Sequence, residues 1–366
     1  MELGHICEGA RVQAHEILDN VIVIEDDKPK FLEEKDLNLN QVVIVGSACA
    51  ASVLRGAEVY APGILGASPN LTKDQEVLVY TDLDNKLLKG SVKFDVTQDN
   101  YCLLGKGIAL LSRSDLFKNR IQTGIGVRIL VSQGSAARIN DSILKPLSQS
   151  YFMQNLPSIL TVHQLELKSN DKCLDLCAAP GGKTCHIAEI AHVLAFDKSQ
   201  AKINQILSNA DRLGVVAKVT ARVQDATKAE LELESYDKIL LDAPCSALGQ
   251  RPMLVQTAKV KELKSFAKLQ KKLFEKAFSL LKVGGILVYS TCTITLDENE
   301  GLVKWALDKY RGNLELRTIN PQCGSAGHKT ILREDFDKVQ RFGPHQNSTI
   351  GFFIAKFTKV GNQLVD

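Results

Sequence analysis

The chain has 366 residues, 45% of them hydrophobic and 24% charged, and a formal net charge of +3. Such a composition indicates an ordinary globular protein of about two domains, and the weak positive charge permits a nucleic-acid partner without requiring one. The sequence shows no secretory leader and no apolar run of about 18 residues, so we predict a cytoplasmic protein without membrane insertion.

The cysteines argue against disulfides and against metal binding. There are nine, an odd number, and they are scattered along the chain. The nearest group, Cys173, Cys177 and Cys185, lacks the paired C-x-x-C spacing of a zinc site, and the seven histidines include no H-E-x-x-H motif. The sequence therefore predicts free thiols and no metal.

The first part of the chain reads mostly as β-structure. Residues 1–39 are predicted to be a partial N-terminal region, with a strand at residues 20–24 and a charged loop at residues 26–36. Residues 40–132 are predicted to form a small β-rich domain, because short apolar segments alternate with Gly and Asn/Asp turns. Its predicted elements are strands at residues 42–45, 76–80, 91–94 and 126–130 and a short helix at residues 50–54. Residues 132–147 are the predicted linker.

Residues 133–366 are predicted to form an α/β domain. Helical patterns alternate there with short apolar strands, which is typical of a mostly parallel sheet covered by helices on both faces. The predicted elements are helices at residues 156–165, from about 184, and at 259–282, and strands at residues 173–176, 192–196, 219–223, 238–241 and 285–289. The apolar segment 350–357 follows Pro344 closely and is predicted to close the sheet as an antiparallel strand.

A glycine-rich turn follows the first strand of the α/β domain. It reads Cys177-Ala178-Ala179-Pro180-Gly181-Gly182-Lys183-Thr184 and leads into a predicted helix, an arrangement that lets a ligand approach the backbone closely. The spacing fits neither a P-loop nor a clean G-x-G-x-x-G motif, so phosphate cradles fit poorly. An adenosyl ligand without phosphates is favoured.

Three acids stand at the ends of the next three predicted strands, namely Asp197, Asp225 and Asp242. Carboxylates at successive carboxyl ends converge on the crevice where open α/β sheets bind ligands, and the first of them can accept from both ribose hydroxyls. The alternative for each acid alone is a turn residue or a helix cap.

Two cysteines each follow a predicted strand, Cys245 in a Pro-Cys pair and Cys292 in a Thr-Cys pair. Carbon 5 of cytosine is a poor nucleophile until a group adds to carbon 6, and a thiolate can make that addition. A second thiol can assist release, while Asp242 can hydrogen-bond the polar edge of the base. For either cysteine alone, an inert buried thiol is an equal alternative.

Taken together, the Gly-Gly turn after Asp175, the Asp-Ala-Pro-Cys motif at residues 242–245 and the Ser-Thr-Cys motif at residues 290–292 resemble the Nol/Nop/Sun-domain RNA cytosine-5 methyltransferases. The resemblance implies a Rossmann-like class I methyltransferase domain that uses S-adenosylmethionine. It implies Cys292 as nucleophile, Cys245 as the group that allows product release, and Lys183 at the cofactor or at the cytosine. The implied cofactor contacts are Cys177, Ala178, Ala179, Pro180, Gly181, Gly182, Lys183, Asp197, Asp225 and Asp242.

Residues 53–64 are similar to the PUA module carried by one member of that family, and residues 151–158 and 351–357 also resemble that member. The resemblance implies a monomer whose PUA-like domain grips the CCA end of tRNA, with a cytosine near the 3′ end, or an mRNA site of similar sequence, as substrate. Implied RNA contacts are Arg55, Tyr60 and Lys89. Tyr60 can stack on an unpaired base and the two cations can meet phosphates, the alternative being a packed tyrosine and solvated cations.

Several alternatives stay open at this point. Only about 39 residues precede the module, fewer than is usual in the family, which leaves truncation and divergence as explanations. The helix at residues 259–282 is predicted to cover the sheet with a solvated lysine face, RNA contact being the less favoured role. The competing functions are a DNA cytosine methyltransferase with the Pro-Cys thiol as nucleophile and a non-catalytic RNA-binding protein.

Overall fold

The computed structural model describes residues 10–16, 18, 22–26, 32, 37, 40–133, 151–256, 258–347 and 349–362. The chain divides into two compact units, one comprising Met1–Pro146 and Pro252–Thr257, the other Leu147–Arg251 and Ala258–Asp366. Most of the predicted linker at 132–147 and of the predicted loop at 26–36 lies outside the described residues. The predicted strand at 20–24 overlaps β2 (Ile22–Asp26), which pairs antiparallel with β1 (Ala10–Ala14).

The prediction of a β-rich first unit is confirmed. Its described residues include a six-stranded sheet in the order β4-β8-β7-β6-β3-β5, in which only β3 and β6 are parallel neighbours. The elements are β3 (Val42–Val45), α1 (Ser47–Leu54), β4 (Val59–Tyr60), a 3-10 turn (Ala61–Gly63), β5 (Ile64–Ala67), β6 (Glu76–Asp82), β7 (Tyr101–Ala109), a π-helical turn (Ser114–Lys118) and β8 (Ile125–Ser132).

One predicted strand of the six-stranded sheet is wrong, and three of its strands, β4, β5 and β7, were not predicted. Residues 91–94 form no strand, and Ser91 makes only an isolated bridge to Gly66, because the apolar Val92 is 45% exposed and gives the segment no buried face. Strand β7 takes the place beside β6 instead. Its Gly105 and Gly107 let β8 approach, since an added Cβ at either would lie within 2.4 Å of a β8 carbonyl oxygen.

The second unit has the predicted α/β fold with a mostly parallel sheet. Its described strands run in the order β11-β10-β9-β12-β13-β16-β14, with β15 also paired to β16. The strands are β9 (Lys172–Asp175), β10 (His192–Asp197), β11 (Val219–Val223), β12 (Tyr236–Asp242), β13 (Leu281–Thr291), β14 (Leu314–Arg317), β15 (Gln340–Phe342) and β16 (Phe352–Lys359). The helices are α2 (Leu156–His163), α3 (Gly182–Ile190), α4 (Gln200–Arg212), α5 (Val260–Leu280), α6 (Glu300–Lys309), α7 (Lys329–Leu332) and α8 (Pro344–Asn347), with 3-10 turns at Val216–Lys218, Ala226–Lys228 and Arg333–Asp335.

The strand order of the second unit reverses between two central strands. From β9 the chain proceeds outward to β10 and β11, and it then returns to the other side of β9 as β12 and β13, all in parallel pairing. In open α/β sheets the crevice outside the carboxyl ends at such a reversal is where ligands bind. The predicted antiparallel closing strand is also confirmed, since β16 pairs antiparallel with β13.

Helix α5 illustrates how the sheet is covered. Leu273, Phe274, Ala277 and Leu280 are buried and belong to one hydrophobic cluster with the inner face of β12 and β13. Four of the five lysines predicted to form its solvated face, Lys261, Lys264, Lys268 and Lys272, are exposed, whereas Lys271 is half-buried with its ammonium over the Trp305 ring. No helix in the described part of the chain is long and apolar enough to cross a membrane.

Candidate active site

The glycine-rich turn is held by a buried carboxylate. Asp175, the last residue of β9 and only 1% exposed, accepts hydrogen bonds from Thr184 Oγ1 at 2.7 Å and from the Cys177 N–H at 3.3 Å. Burial raises the pKa of this carboxyl to about 6, and the nearby Asp242 carboxylate adds to the rise, while the Thr184 hydrogen bond opposes it. Asp175 thereby ties both ends of the turn to the strand that precedes it, a role the sequence analysis missed.

Two glycines of the turn are required by its geometry. Gly181 caps α3 with a left-handed φ of 105°, which side chains rarely adopt. At Gly182 an added Cβ would lie 2.5 Å from the Phe152 ring. The turn is therefore a tightly packed backbone loop at the reversal point of the sheet, where a ligand can approach the backbone.

The next two predicted acids lie at the expected strand ends. Asp197 closes β10, accepts from the Ser199 N–H at 3.1 Å and lies 3.5 Å from Lys202 Nζ. Asp225 follows β11 and caps the 3-10 turn Ala226–Lys228, accepting from the N–H and the hydroxyl of Thr227, and the hydroxyl bond lowers the pKa of its carboxyl. Asp225 therefore acts as a cap, as the alternative for a single acid predicted. It also lies beside Asp197, so both acids are at the same edge of the sheet.

Lys183 and Asp242 form an ion pair at the centre of the crevice. Lys183 Nζ lies 2.7 Å from Asp242 Oδ2, and the two side chains are 13% and 29% exposed. The other carboxylate oxygen accepts from the Ser290 hydroxyl at 2.7 Å. Because Asp242 and Ser290 are partners in the parallel register of β12 and β13, the ends of these strands bring the three groups together.

The two predicted catalytic cysteines meet. Their sulfur atoms, Cys245 Sγ and Cys292 Sγ, are 3.4 Å apart and both residues are partly exposed. The Cys245 thiol and the Gln250 side chain donate to Cys292, which lowers the pKa of Cys292, and the Lys183 ammonium acts in the same direction, against burial and the Asp242 carboxylate. The same shared proton and burial raise the pKa of Cys245. These directions favour Cys292 over Cys245 as the thiolate of the pair, in line with the predicted roles.

The loops that carry the cysteines approach at two glycines. The Gly249 N–H donates to the Cys292 carbonyl at 2.9 Å, and the Gly351 N–H donates to the Gly249 carbonyl at 2.7 Å. An added Cβ at Gly249 would lie 2.0 Å from the Gly351 carbonyl oxygen and 2.7 Å from that of Cys292. Three backbones are in contact at this point, so there is no room for a side chain.

We expect Gly249→Ala to destabilise the protein by about 1–3 kcal/mol, because the new methyl group overlaps fixed backbone rather than a movable side chain. Urea unfolding monitored by circular dichroism measures the change. Gly343→Ala is the matched control, since an added Cβ there meets nothing within 4 Å. Equal stability of the two variants would contradict the close approach.

The predicted RNA contacts of the first unit are all exposed. Tyr60 is 50% exposed, so its ring is available for stacking, and Lys89 Nζ lies 3.4 Å from Gln122 Oε1. The residue after Tyr60 donates its N–H to the carbonyl of Gly124, so the segment at 122–124 adjoins both predicted contacts. Arg55 is exposed at the end of α1.

A further carboxylate near the cysteines, that of Glu298, was missed by the sequence analysis. The pattern Thr295-x-x-Glu298 before a helix is a capping-box signature and indicates only a local cap. Its contacts with the Cys245 loop arise from tertiary structure. No group of three or more His, Cys, Asp or Glu side chains among the described residues could hold a metal ion.

A family model described as 16S rRNA methyltransferase RsmB/F matches residues 162–358, which is more than half of the chain. The chain belongs to this family. The matched region begins near the end of α2 and ends within β16, so it contains the glycine-rich turn, the Lys183–Asp242 pair and both cysteines.

Similar RsmB/F-family proteins extend the match over nearly the whole chain. The Homo sapiens tRNA (cytosine(72)-C(5))-methyltransferase NSUN6 is 40% identical over 94% of this chain and 80% of its own length. A Pyrococcus horikoshii protein of the same description is 35% identical over 91% of this chain and 78% of its own. The crystal structure of NSun6 from Pyrococcus horikoshii with SFG, an S-adenosylmethionine analogue, superposes with a TM-score of 0.81 at 34% identity, covering 97% of this chain and 85% of that one.

These matches confirm the predicted resemblance to the Nol/Nop/Sun family and to its sixth, PUA-carrying member. They also confirm the predicted enzyme class, an S-adenosylmethionine-dependent RNA cytosine-5 methyltransferase, and the predicted cofactor. The roles of the individual site residues remain predictions.

Proposed function

We propose that this RsmB/F-family enzyme methylates carbon 5 of a cytosine near the 3′ acceptor end of tRNA, by way of a covalent bond between Cys292 and carbon 6 of the base. The observation that carries the mechanism is the pair of thiols 3.4 Å apart, in which Cys292 has the lowered pKa. The names of the similar proteins, which are tRNA (cytosine(72)-C(5))-methyltransferases, support the choice of tRNA.

Cys292 starts the reaction as a thiolate. Its sulfur bonds to carbon 6 of the cytosine, the carbon 5–carbon 6 double bond opens, and its electron pair makes carbon 5 nucleophilic. S-adenosylmethionine, when bound, supplies the methyl group that carbon 5 takes. The fit for this cofactor rests on the backbone turn at Gly181 and Gly182 and on Asp197 at the end of the neighbouring strand, as a ribose-binding acid.

Cys245 ends the reaction. While Cys292 is bonded to carbon 6, Cys245 gives its own proton to solvent and becomes a thiolate. This thiolate removes the proton from carbon 5, the electron pair restores the double bond, and the bond from carbon 6 to Cys292 breaks with the electrons returning to that sulfur. The largest cause of the raised pKa of Cys245 is its hydrogen bond to Cys292, and that cause is removed while Cys292 is bonded to carbon. The cycle therefore closes with a protonated Cys245 beside a Cys292 thiolate, the state in which it began.

Asp242 is assigned to the amino edge of the cytosine. Each of its carboxylate oxygens accepts one hydrogen bond from the protein, from Lys183 or from Ser290, which leaves lone pairs for the N–H groups of the base. Lys183 then acts as a positioning residue that holds the carboxylate, and its ammonium favours the Cys292 thiolate. This assignment places recognition of the base and activation of the thiol at one ion pair.

The first unit is assigned to RNA binding. We propose the organisation as a partial N-terminal region at 1–39, a PUA-like domain at 40–132 that grips the CCA end through Arg55, Tyr60 and Lys89, and a methyltransferase domain at 133–366. An mRNA site of similar sequence is a second substrate in this proposal. A monomer in the cytoplasm is the proposed working form.

Bisulfite sequencing tests the function directly. Unmodified total tRNA is incubated with the protein and S-adenosylmethionine, and protected cytosines are mapped. We expect protection near the 3′ end of a subset of tRNAs. Protection is compared between matched tRNAs that differ only in whether the CCA end is present. Protection in ribosomal RNA alone, or methylation of a DNA duplex in preference to tRNA, would overturn the proposal.

We expect the rate of adduct formation with RNA to rise with pH and to level off below the ordinary thiol pKa of about 8.5, because the attacking form of Cys292 is the thiolate. Cys245→Ala removes a donor to Cys292, so its plateau should move to higher pH, whereas Cys245→Ser keeps a donor and should move less. Single-turnover rates between pH 6 and 10 measure the shift. Identical profiles for the three proteins would contradict the shared proton.

We expect Tyr60→Ala to weaken tRNA binding about 5- to 140-fold, the equivalent of one lost base stack of about 1–3 kcal/mol. Lys89→Ala should weaken binding less and reduce the slope of log affinity against log salt by about one. Fluorescence anisotropy with a labelled acceptor-stem RNA measures both. Lys73→Ala, at an exposed lysine of the turn before β6, is the charge-matched control. If Lys73→Ala weakened tRNA binding as much as Lys89→Ala, the contribution of Lys89 would be non-specific charge rather than a defined RNA contact.

A further inference from the structure

Glu298 connects the two loops that carry the cysteines. It precedes α6, is 1% exposed, and its carboxylate accepts from the N–H and the hydroxyl of Ser246, the residue after Cys245. On the other side it accepts from the hydroxyl of Thr295, three residues beyond Cys292, at 2.8 Å. One buried carboxylate therefore binds both cysteine-bearing segments.

Four hydrogen-bond donors surround the Glu298 carboxylate. The fourth donor is the Gln270 side chain, at 2.9 Å, which also donates to the carbonyl of Pro244 at 3.0 Å. Because the single proton of the Ser246 hydroxyl points at Glu298, the Thr293 hydroxyl, 2.7 Å away, must donate to Ser246. The residue on each side of Cys245 and the residue after Cys292 thus belong to one network.

Such a network restrains the separation of the two sulfur atoms. Neither cysteine lies within a strand, since Cys245 is three residues past β12 and Cys292 is directly past β13. Beyond the strand ends, the Gly249 N–H holds the far end of the Cys245 loop to the Cys292 carbonyl, and bonds from the Ser246 backbone and side chain to a buried group hold the loop beside Cys245 itself. Loss of the carboxylate would leave several buried donors unpaired, which opposes displacement of either cysteine-bearing segment.

We propose that Glu298 is the positioning residue that holds Cys245 and Cys292 within reach of each other and of one base carbon. The proposal rests on the roles assigned above to the two thiols. Glu298 touches neither the base nor the cofactor in this scheme, and it acts through Ser246 and Thr295.

The test measures the thiol pair without RNA. In glutathione redox buffer, the equilibrium between the reduced pair and the Cys245–Cys292 disulfide, read by peptide mass spectrometry, gives the effective concentration of the two thiols. We expect Glu298→Ala to lower it at least about tenfold. Glu298→Gln should stay within about threefold of the wild type, because an amide oxygen can accept from Ser246 N–H and Gln270 while its amino group donates to the two hydroxyls.

Two further variants separate positioning from general destabilisation. Gln164 is 2% exposed and bridges to the backbone of Asn320, so Gln164→Ala removes a buried polar contact away from the cysteines. It should lower the melting temperature and leave the effective concentration unchanged. In a double-mutant cycle, the effective thiol concentration of the Ser246→Ala/Glu298→Ala protein should fall by less than the product of the two single-variant factors, since both substitutions remove one contact.

Methylation kinetics complete the test. We expect Glu298→Ala to lower kcat about 10- to 100-fold, the effect of a misplaced reacting group, with KM for S-adenosylmethionine unchanged. An unchanged or higher effective thiol concentration in Glu298→Ala overturns the positioning role, whatever the kinetics. If the effective concentration falls as expected but Cys292→Ala still methylates RNA, the assigned nucleophile fails and the role of Glu298 in holding the pair stands.

Discussion

Replacing Cys292 by alanine is expected to lower RNA methylation by at least about 10³-fold, because it removes the thiolate to which the bond with carbon 6 is assigned. The variant should still bind S-adenosylmethionine and tRNA, since the cofactor turn and the first unit are untouched. Transfer of a radiolabelled methyl group to tRNA, with calorimetry of cofactor binding, measures the two effects separately. Methylation by Cys292→Ala at a rate near that of the wild type would show that another group is the nucleophile.

The partner variant should fail in the opposite way. Cys245→Ala keeps the attacking thiol and loses the base that releases the product, so a covalent protein–RNA adduct should accumulate and survive denaturing electrophoresis. Cys323→Ala is the control, because Cys323 is a partly exposed thiol of the same unit outside the motifs. An adduct in Cys292→Ala, or none in Cys245→Ala, would reverse the assignment and favour the arrangement of DNA enzymes, in which the Pro-Cys thiol attacks.

The second large effect is expected at the central ion pair. Asp242→Asn should lower kcat about 10²- to 10³-fold, because the amide cannot pair with the Lys183 ammonium and presents a donor to the donor edge of the base. The change is isosteric, and Ser290 can still donate to the remaining oxygen. Single-turnover methylation at saturating tRNA separates this loss from weaker binding.

A matched ion pair at the other end of the same strand serves as control. Asp237 lies in β12 and pairs with Lys282 at 2.7 Å, the same distance as in the central pair. Asp237→Asn should change stability slightly, as expected of a partly exposed pair, and leave kcat within about twofold. If Asp242→Asn and Asp237→Asn lost activity equally, the Lys183–Asp242 pair would be a stability element rather than part of the site.

Local patterns were sufficient for much of the second unit. Alternating apolar strands and helices predicted the parallel sheet, and the acids at strand ends fell at one edge, because strands joined by helical crossovers run in the same direction. The closing strand was predicted by its apolar run after Pro344. The first unit was harder, since the glycines that let β7 approach β8 also removed its strand signature, while residues 91–94 alternate without a buried face.

The sequence alone determined where the two thiols, the glycine-rich turn and the acids lie along the fold, because each of them follows or ends a strand that the local pattern predicts. Tertiary structure decided how they combine. The sulfur atoms of residues 47 positions apart meet at 3.4 Å, and Lys183 reaches Asp242 from 59 positions away. These distances depend on strand order and on the register that pairs Asp242 with Ser290, and on a buried Glu298 that no local pattern connects to Ser246. The opposite pKa shifts of Cys292 and Cys245 follow from those neighbours, so the physical basis for the two roles that the resemblance implied lies in the folded chain.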